Sequence, residues 1–414
     1  MRGPDPAPAE ASAAAAAPPP ETMVLELALP PGVPARLLRS PVLAGLRAGK
    51  ARGAPFVLTW YDTVDGQLAA KGQALELAPV RRGARQALRQ ILPEESVAWV
   101  PGSVPPALAE TQLPSPTPDP LAAGLAADTP LVALAAAEGR RRTLPIAFQG
   151  VPATLGVLEG KLRTVAAESG FARLVITAPA PAAFGMAALL AEDFALLPAA
   201  PLAEAARALA VGQAPRPVRQ GAPVLSRAMP VEDGFVHAAL HLCAVLLSLV
   251  PAVEAGIGAG PVHQTRVALR RLRSALAVWR EVIDGERLRG LDGGLRHLAR
   301  LLGPVRDRDV FMGGMLADLA AALAAEGRAP AAGLDHLRQA LADQRAGAHA
   351  TLTAWLASPS FRALVLELLA TLAGRSWREG CDADQLAAMD APLTEFAARV
   401  LRRRARKVLK DHEE

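Results

Sequence analysis

The sequence predicts a multidomain α+β chain, with a β-rich first half followed by an all-helical second half. Three observations predict it. Short, often alternating β-like runs bounded by Gly, Pro and Asp fill residues 21–200. A Pro/Gly/Ala-rich stretch containing QAPRPVRQGAP then interrupts the pattern. Beyond it the apolar spacing is purely helical. The length of 414 residues accommodates two or three domains, and 51% hydrophobic residues suffice for real cores.

Taken in order, residues 1–20 read as a disordered Ala/Pro-rich tail lacking the apolar core of a secretory signal. The first domain spans 21–205. Its strands are MVLELAL, FVLTWYD, QALELAPV, ATLGVLEG and ARLVITAP, with one helical segment over 180–197. The Ala/Pro-rich stretch 100–130 reads as an insertion or loose loop, and 206–224 as the linker. The second domain spans 225–414. Its predicted helices are 231–250, 262–283, 291–325 with a bend near Gly303-Pro304, 332–356, 360–376 and 391–410. Their lengths and short connections predict antiparallel bundle packing. The apolar run Ala238 to Val253 is too short to span a bilayer and reads as a buried helix, so no membrane partner is expected.

The formal net charge is +5, and the two halves share the excess evenly. Function must therefore be sought in local fields. Five lysines stand against forty arginines, and Arg offers a planar five-donor fork suited to oxyanions. Average Arg content reflects a high-GC, Ala/Gly/Pro-rich composition, so only clustered Arg carries an argument. Two distant cysteines, Cys243 and Cys381, exclude a disulfide scaffold and a Cys-built metal site, and place the chain by default in a reducing cytoplasm.

The strongest local feature is PVHQTRVALRRLRSALAVW. On a helix, Val262, Thr265, Leu269, Leu272, Leu276 and Trp279 share an arc of roughly 100°, the core face. His263, Arg266, Arg270 and Arg273 form a ladder beside it within about 80°. No acidic residue lies between 263 and 280, so the i,i+4 pairs of an ordinary surface helix are missing. An anion, or acids on another helix, must answer these charges. A second cluster, LRHLARLLGPVRDRDV, adds His297, Arg300, Arg306 and Arg308, with Asp307 and Asp309 placed to orient a ladder arginine. The third is Arg399, Arg402, Arg403, Arg404, Arg406, Lys407 and Lys410, a strong local positive field. No Gly-rich phosphate loop, zinc signature or nucleophile elbow is present, and no metal or cofactor is expected. One Tyr, nine Phe and five Trp supply few stacking platforms, which makes nucleic acid the weaker polyanion partner.

VHQTRVALRRLRSAL followed by LRHLARLLGPVRDRDV resembles the paired signature of the CHAD family, the conserved histidine α-helical domain, over about 225–410. The resemblance implies two pseudo-symmetric four-helix units whose basic surface binds inorganic polyphosphate. It carries over His263, Arg266, Arg270 and Arg273 as chain-facing donors, and Arg306 and Arg308 as flanking donors. Asp307 and Asp309 become site organisers, and Arg403, Arg404 and Lys407 fall where the family has a basic second-unit helix. Family members continue beyond the position of DHEE, so the second unit is expected to be incomplete. Pairing with another copy would cover the apolar faces this leaves.

The first half resembles the CYTH family, the triphosphate tunnel fold, through LEL at 25–27, WYDT at 60–63 with LAAKGQAL, and the late helix. Active members carry an E-x-E-x-K strand, where this chain has Val24, Glu26 and Ala28. The resemblance therefore implies a degenerate β-barrel or tunnel-like domain before the all-α CHAD bundle. Together these readings predict a polyphosphate-binding protein without catalysis, associated with cytoplasmic polyphosphate granules. The alternatives are a metal-dependent triphosphatase or polyphosphate hydrolase using Glu26, Asp62, Glu76 and Glu159, and a structural adaptor whose arginines are paired internally.

Overall fold

The computed structural model describes residues 22–30, 32–92, 98–213, 215, 222–256, 258–326 and 332–411. The expected tail 1–20 and parts of the expected linker lie outside the described residues. The first half runs β1 (Thr22–Ala28), α1 (Val33–Leu38), α2 (Pro41–Leu46), β2 (Arg52–Thr63), α3 (Gln67–Ala70), β3 (Gln73–Pro79), β4 (Ala84–Gln90), β5 (Ala109–Leu113), β6 (Leu131–Phe148), β7 (Val151–Arg163), β8 (Glu168–Pro179), α4 (Ala180–Ala191), β9 (Leu197–Pro198) and α5 (Leu202–Ala210). The second half runs α6 (Val231–Glu254), α7 (Gly260–Trp279), α8 (Glu286–Gly313), α9 (Met315–Ala325), α10 (Ala332–Leu356), α11 (Pro359–Gly374), α12 (Ala383–Asp390) and α13 (Leu393–Asp411).

All strand pairs are antiparallel, in the order β5-β4-β3-β2-β6-β7-β8-β1-β9. The β6–β7 hairpin turns on Gln149 and Gly150, both at positive φ, with Phe148 paired to Val151. That is the two-residue primed turn whose twist matches the strands it joins. Further along the ladder Gly139 faces Gly160, and a Cβ on either would come within 2.1 Å of a carbonyl oxygen on the other strand. Only glycine allows the two backbones to approach there. The segment after β4 bends back to β1: the Glu26 amide donates to Gly102 O at 2.7 Å, and the Val104 amide to Val24 O at 2.8 Å. Residues 100–104 therefore close one side of the curled sheet, and the stretch read as a loose loop also supplies β5.

In the helical half, α7 and α8 form an antiparallel hairpin, α10 runs antiparallel along α8, and α6 lies beneath α7. The apolar stripes chosen from the spacing meet here: Val262, Leu269 and Leu272 of α7 are buried with Leu295, Leu298 and Leu302 of α8. Burying each such side chain contributes roughly 1.5–3 kcal/mol. α6 is longer than expected, 24 residues, and long enough by length and apolarity to cross a bilayer, but 72% of its most apolar window is buried inside the protein. Cys243 on α6 sits in this core, and burial pushes its thiol up to about 12. One continuous apolar cluster joins Leu25 and Phe184 of the first half to Phe235 and Leu369 of the second, with α11 packed on α4.

Several expectations are corrected. β6, eighteen residues long, was not expected as a strand. Its Ala-rich start and its Arg140–Arg142 run have little intrinsic β preference, and pairing with β2 and β7 overrides that. The expected linker starts too early, because α5 reaches Ala210 and buries Ala206 against Leu58 and Trp60. α8 continues through Gly303-Pro304 and ends at Gly313 instead. Pro304 forfeits one backbone hydrogen bond, a loss the packing on both sides of α8 absorbs.

Candidate functional site

The α7–α8 hairpin sets the geometry of the basic face. Arg266 reaches across to α8, and a Cβ on Gly303 would lie 3.4 Å from its Nη1. Arg300 and Arg306 sit three residues before and after Gly303, about 60° to either side of it on the helix. Arg270 is one turn further along α7. Among the described residues Arg266, Arg270, Arg300 and Arg306 have no ion pair. Arg266, Arg270 and Arg300 are exposed, and His263 and Arg306 are half-buried at the same end. Guanidiniums that share one helix crossing and make no ion pair present the planar, multi-donor forks that suit an oxyanion.

The remaining predicted residues divide differently. Arg273, the far rung of the ladder, donates to Asp292 at 3.3 Å, and Asp292 also takes Arg296 Nε at 2.9 Å. These bonds hold the Asp292 carboxyl below the usual carboxylate range. His297 stacks against Trp355, ring centroids 5.1 Å apart. Arg308 donates to Pro304 O at 2.8 Å and to Gln344 at 3.2 Å. Asp309 does not organise the ladder: it is buried and accepts from Arg345 of α10 at 2.5 Å. Its place on α8 faces α10, away from α7. Asp307 is exposed and has no ion pair among the described residues. Arg403 binds Glu281 at 2.6 Å, with Arg399 on the same carboxylate at 3.3 Å. This contact lies just past the end of α7, roughly 20 Å along the axis from Arg266. Arg404 is exposed beside it, and the side chain of Lys407 lies outside the described residues.

The reading missed Asp292, Gln344, Arg345 and Glu281, which decide which arginines are spent. Nothing in the sequence pairs them with residues 19 to 122 positions away. It also missed the clasp at the start of α6. There Glu232, 1% exposed, accepts from Arg375, from Trp377 Nε1 at 2.7 Å and from Arg378 Nε at 2.9 Å. Burial alone would raise its carboxyl, but the hydrogen bonds from Arg378, Trp377 and Arg375 outweigh it and hold the group below its ordinary 4.5.

In the first half, Glu26, Glu76, Arg89 and Arg141 line one open cavity of about 1330 Å³. Burial pushes the Glu26 carboxyl up, although Arg173 at 3.0 Å draws it down. Asp62, expected as a metal candidate, instead caps a turn, accepting from the amides of Thr63, Leu68 and Ala69 at 2.8–2.9 Å. Glu159 does not line the cavity. Among the described residues no group of three His, Cys, Asp or Glu is placed to hold a metal.

An antiparallel helical bundle with a basic helix-crossing face, docked on a curled antiparallel sheet, is the class this architecture defines. Residues 238–414 match the model of the CHAD domain and are a CHAD domain. No curated protein matches the chain. Among solved structures, the chain is similar to the CHAD domain of the plant Ricinus communis at 23% identity and a TM-score of 0.38, covering 47% of this chain and 60% of that one. It is also similar to an adenylyl cyclase assignment from Hippeastrum, described with a dominant triphosphatase activity, at 15% identity and a TM-score of 0.33, covering 47% and 97%. A third, an adenylate cyclase assignment from Bacillus halodurans, shares 13% identity at a TM-score of 0.22, covering 37% and 78%. The expectation that the chain is not an enzyme is overturned by the neighbour with triphosphatase activity and does not stand. The sequence treated the tunnel carboxylates as scattered, whereas the fold gathers Glu26 and Glu76 in one cavity.

Proposed function

We propose that the chain has a polyphosphate- or triphosphate-related function, and that its helical half binds inorganic polyphosphate along the α7–α8 face. The observation that carries this is that Arg266, Arg270, Arg300 and Arg306 share the crossing at Gly303 and make no ion pair among the described residues, four guanidiniums against the single acid Asp307. A repeating phosphate chain answers several guanidiniums at once, and charge-assisted Arg–phosphate contacts are stronger than neutral hydrogen bonds. Such contacts position a polyanion without reading bases, so duplex DNA would bind less selectively. The adaptor alternative loses its basis at this crossing, since these arginines have no internal ion pair among the described residues. It keeps its basis at Arg273, Arg308 and Arg403.

The test is competition binding of long-chain polyphosphate against duplex DNA and tripolyphosphate at near-physiological salt. Polyphosphate should win, and its affinity should rise with chain length. Equal displacement by DNA would remove the reading. If polyphosphate is the ligand, the protein should also enrich on polyphosphate granules in cells that store them.

A further inference from the structure

The cavity in the first half is closed at one end by the helical domain. Val236 and Leu240 of α6 and Leu372 and Ala373 of α11 line it, together with residues of the curled sheet. Its lining is of two kinds. The sheet contributes a polar cluster in which Glu26 feels Arg173, Glu76 and Arg141. Glu26 is paired to Arg173 at 3.0 Å and Glu76 to Arg89 at 3.5 Å. Arg141 has no ion pair among the described residues, and its guanidinium lies 5.8 Å from the Phe56 ring centroid. Two carboxylates against three guanidiniums leave this cluster one positive charge in excess. Two buried polar atoms on the wall are also unmet: Trp60 Nε1, on a side chain 2% exposed, and Gln90 Oε1, on one 8% exposed. A buried polar atom without a partner is costly, and an anionic oxygen would accept from the Trp60 N–H, whereas the Gln90 oxygen is an acceptor that only a donor could meet. The helical domain contributes the aliphatic Val236, Leu240, Leu372 and Ala373, and beside them Arg375, whose charge is taken up by Glu232 and Asp233.

We propose that this cavity binds an amphipathic monoanion, a single carboxylate or phosphate-monoester head on an apolar body, with the head at Arg141 and the body against α6 and α11. A triphosphate carries more charge than one uncommitted guanidinium answers, and offers nothing to the aliphatic side chains. The inference does not depend on polyphosphate binding at α7–α8, which lies on other helices. The ligand touches both domains, so its occupancy stabilises their contact.

The experiment is calorimetric titration of the full chain with dodecanoate, dodecyl phosphate, dodecanol and tripolyphosphate, below micelle-forming concentrations, followed by a series of shorter carboxylates. Affinity should rise about fourfold per added methylene, the burial value for one CH₂. Arg141→Ala should weaken both anionic probes at least tenfold and leave dodecanol unchanged. Ala373→Trp, with folding checked by thermal unfolding, should weaken the twelve-carbon probes and spare six-carbon ones. The preferred head follows from which of the two anionic probes binds tighter. Tighter binding of tripolyphosphate than of either amphiphile, affinity independent of chain length, or an Arg141→Ala protein that binds like the parent would each overturn the proposal.

Discussion

Two arginine-rich regions of the helical half differ in what faces them. At the α7–α8 crossing, Arg266, Arg270, Arg300 and Arg306 make no ion pair among the described residues, although the exposed Asp307 lies one turn beyond Gly303 on the same helix. At the start of α6, Arg375 and Arg378 close on Glu232, Asp233 and Asp390. The second region is a clasp. It ties α6 to the chain after α11, where Arg375 holds a left-handed backbone, φ 48, that a non-glycine residue adopts only under constraint. The first region has no such internal use for its charge. Whether a cluster of arginines is spent on a structural fastening or keeps its donors free is thus decided by the acids the fold brings to it.

That contrast can be broken from either side. The largest effect is expected at the clasp. Glu232→Ala removes the shared acceptor of three donors and should cost about 3 kcal/mol of stability in urea unfolding, the low end for a buried pair because both arginines are partly exposed. It should not change polyphosphate affinity. The clasp also sets a pH dependence. Because the folded Glu232 carboxyl titrates below its ordinary 4.5, its contribution is present above pH 4.5 and is lost as pH falls through the lower folded value. Glu232→Gln should flatten that acid limb in thermal melts recorded from pH 6 to 3.

At the crossing the expected pattern is the reverse. Arg266→Glu with Arg270→Glu should weaken polyphosphate binding by about tenfold to hundredfold, the scale of one or two charge-assisted contacts, with little change in melting temperature. Unchanged affinity in a titration would remove these residues from the site. Gly303→Ala should stabilise α8 by about 0.5–1 kcal/mol, as for a helix-interior glycine. Its new Cβ meets Arg266 Nη1 only at 3.4 Å, so binding should persist. The smallest effect is expected at Arg403→Ala. That side chain is already spent on an exposed pair with Glu281, so stability should fall by less than about 1 kcal/mol, with a correspondingly small loss of binding.

Much of the helical half was legible because helical periodicity is a local property. The stripe Val262, Leu269, Leu272 is buried as its spacing requires, and α10 begins and ends where expected. The sheet was less legible. β6 and β4 carry weak local preference, and pairing with neighbours makes them strands. In the candidate site the residue types were readable but not their partners. Arg266 and Arg273 look alike on the helix, yet one lies over Gly303 and the other is held by Asp292.

The sequence alone determined the two-part architecture, the core face of α7 and the presence of an arginine ladder, since each rests on composition or on spacing within one element. The tertiary structure decided which of those arginines keep an unanswered charge, that Asp309 serves α10, that Glu232 binds a clasp, and that Glu26 and Glu76 share a cavity floored by the other domain. Those outcomes depend on side chains brought together from distant parts of the chain. Coulomb and hydrogen-bond energies fall with distance in space, and separation along the sequence does not report that distance.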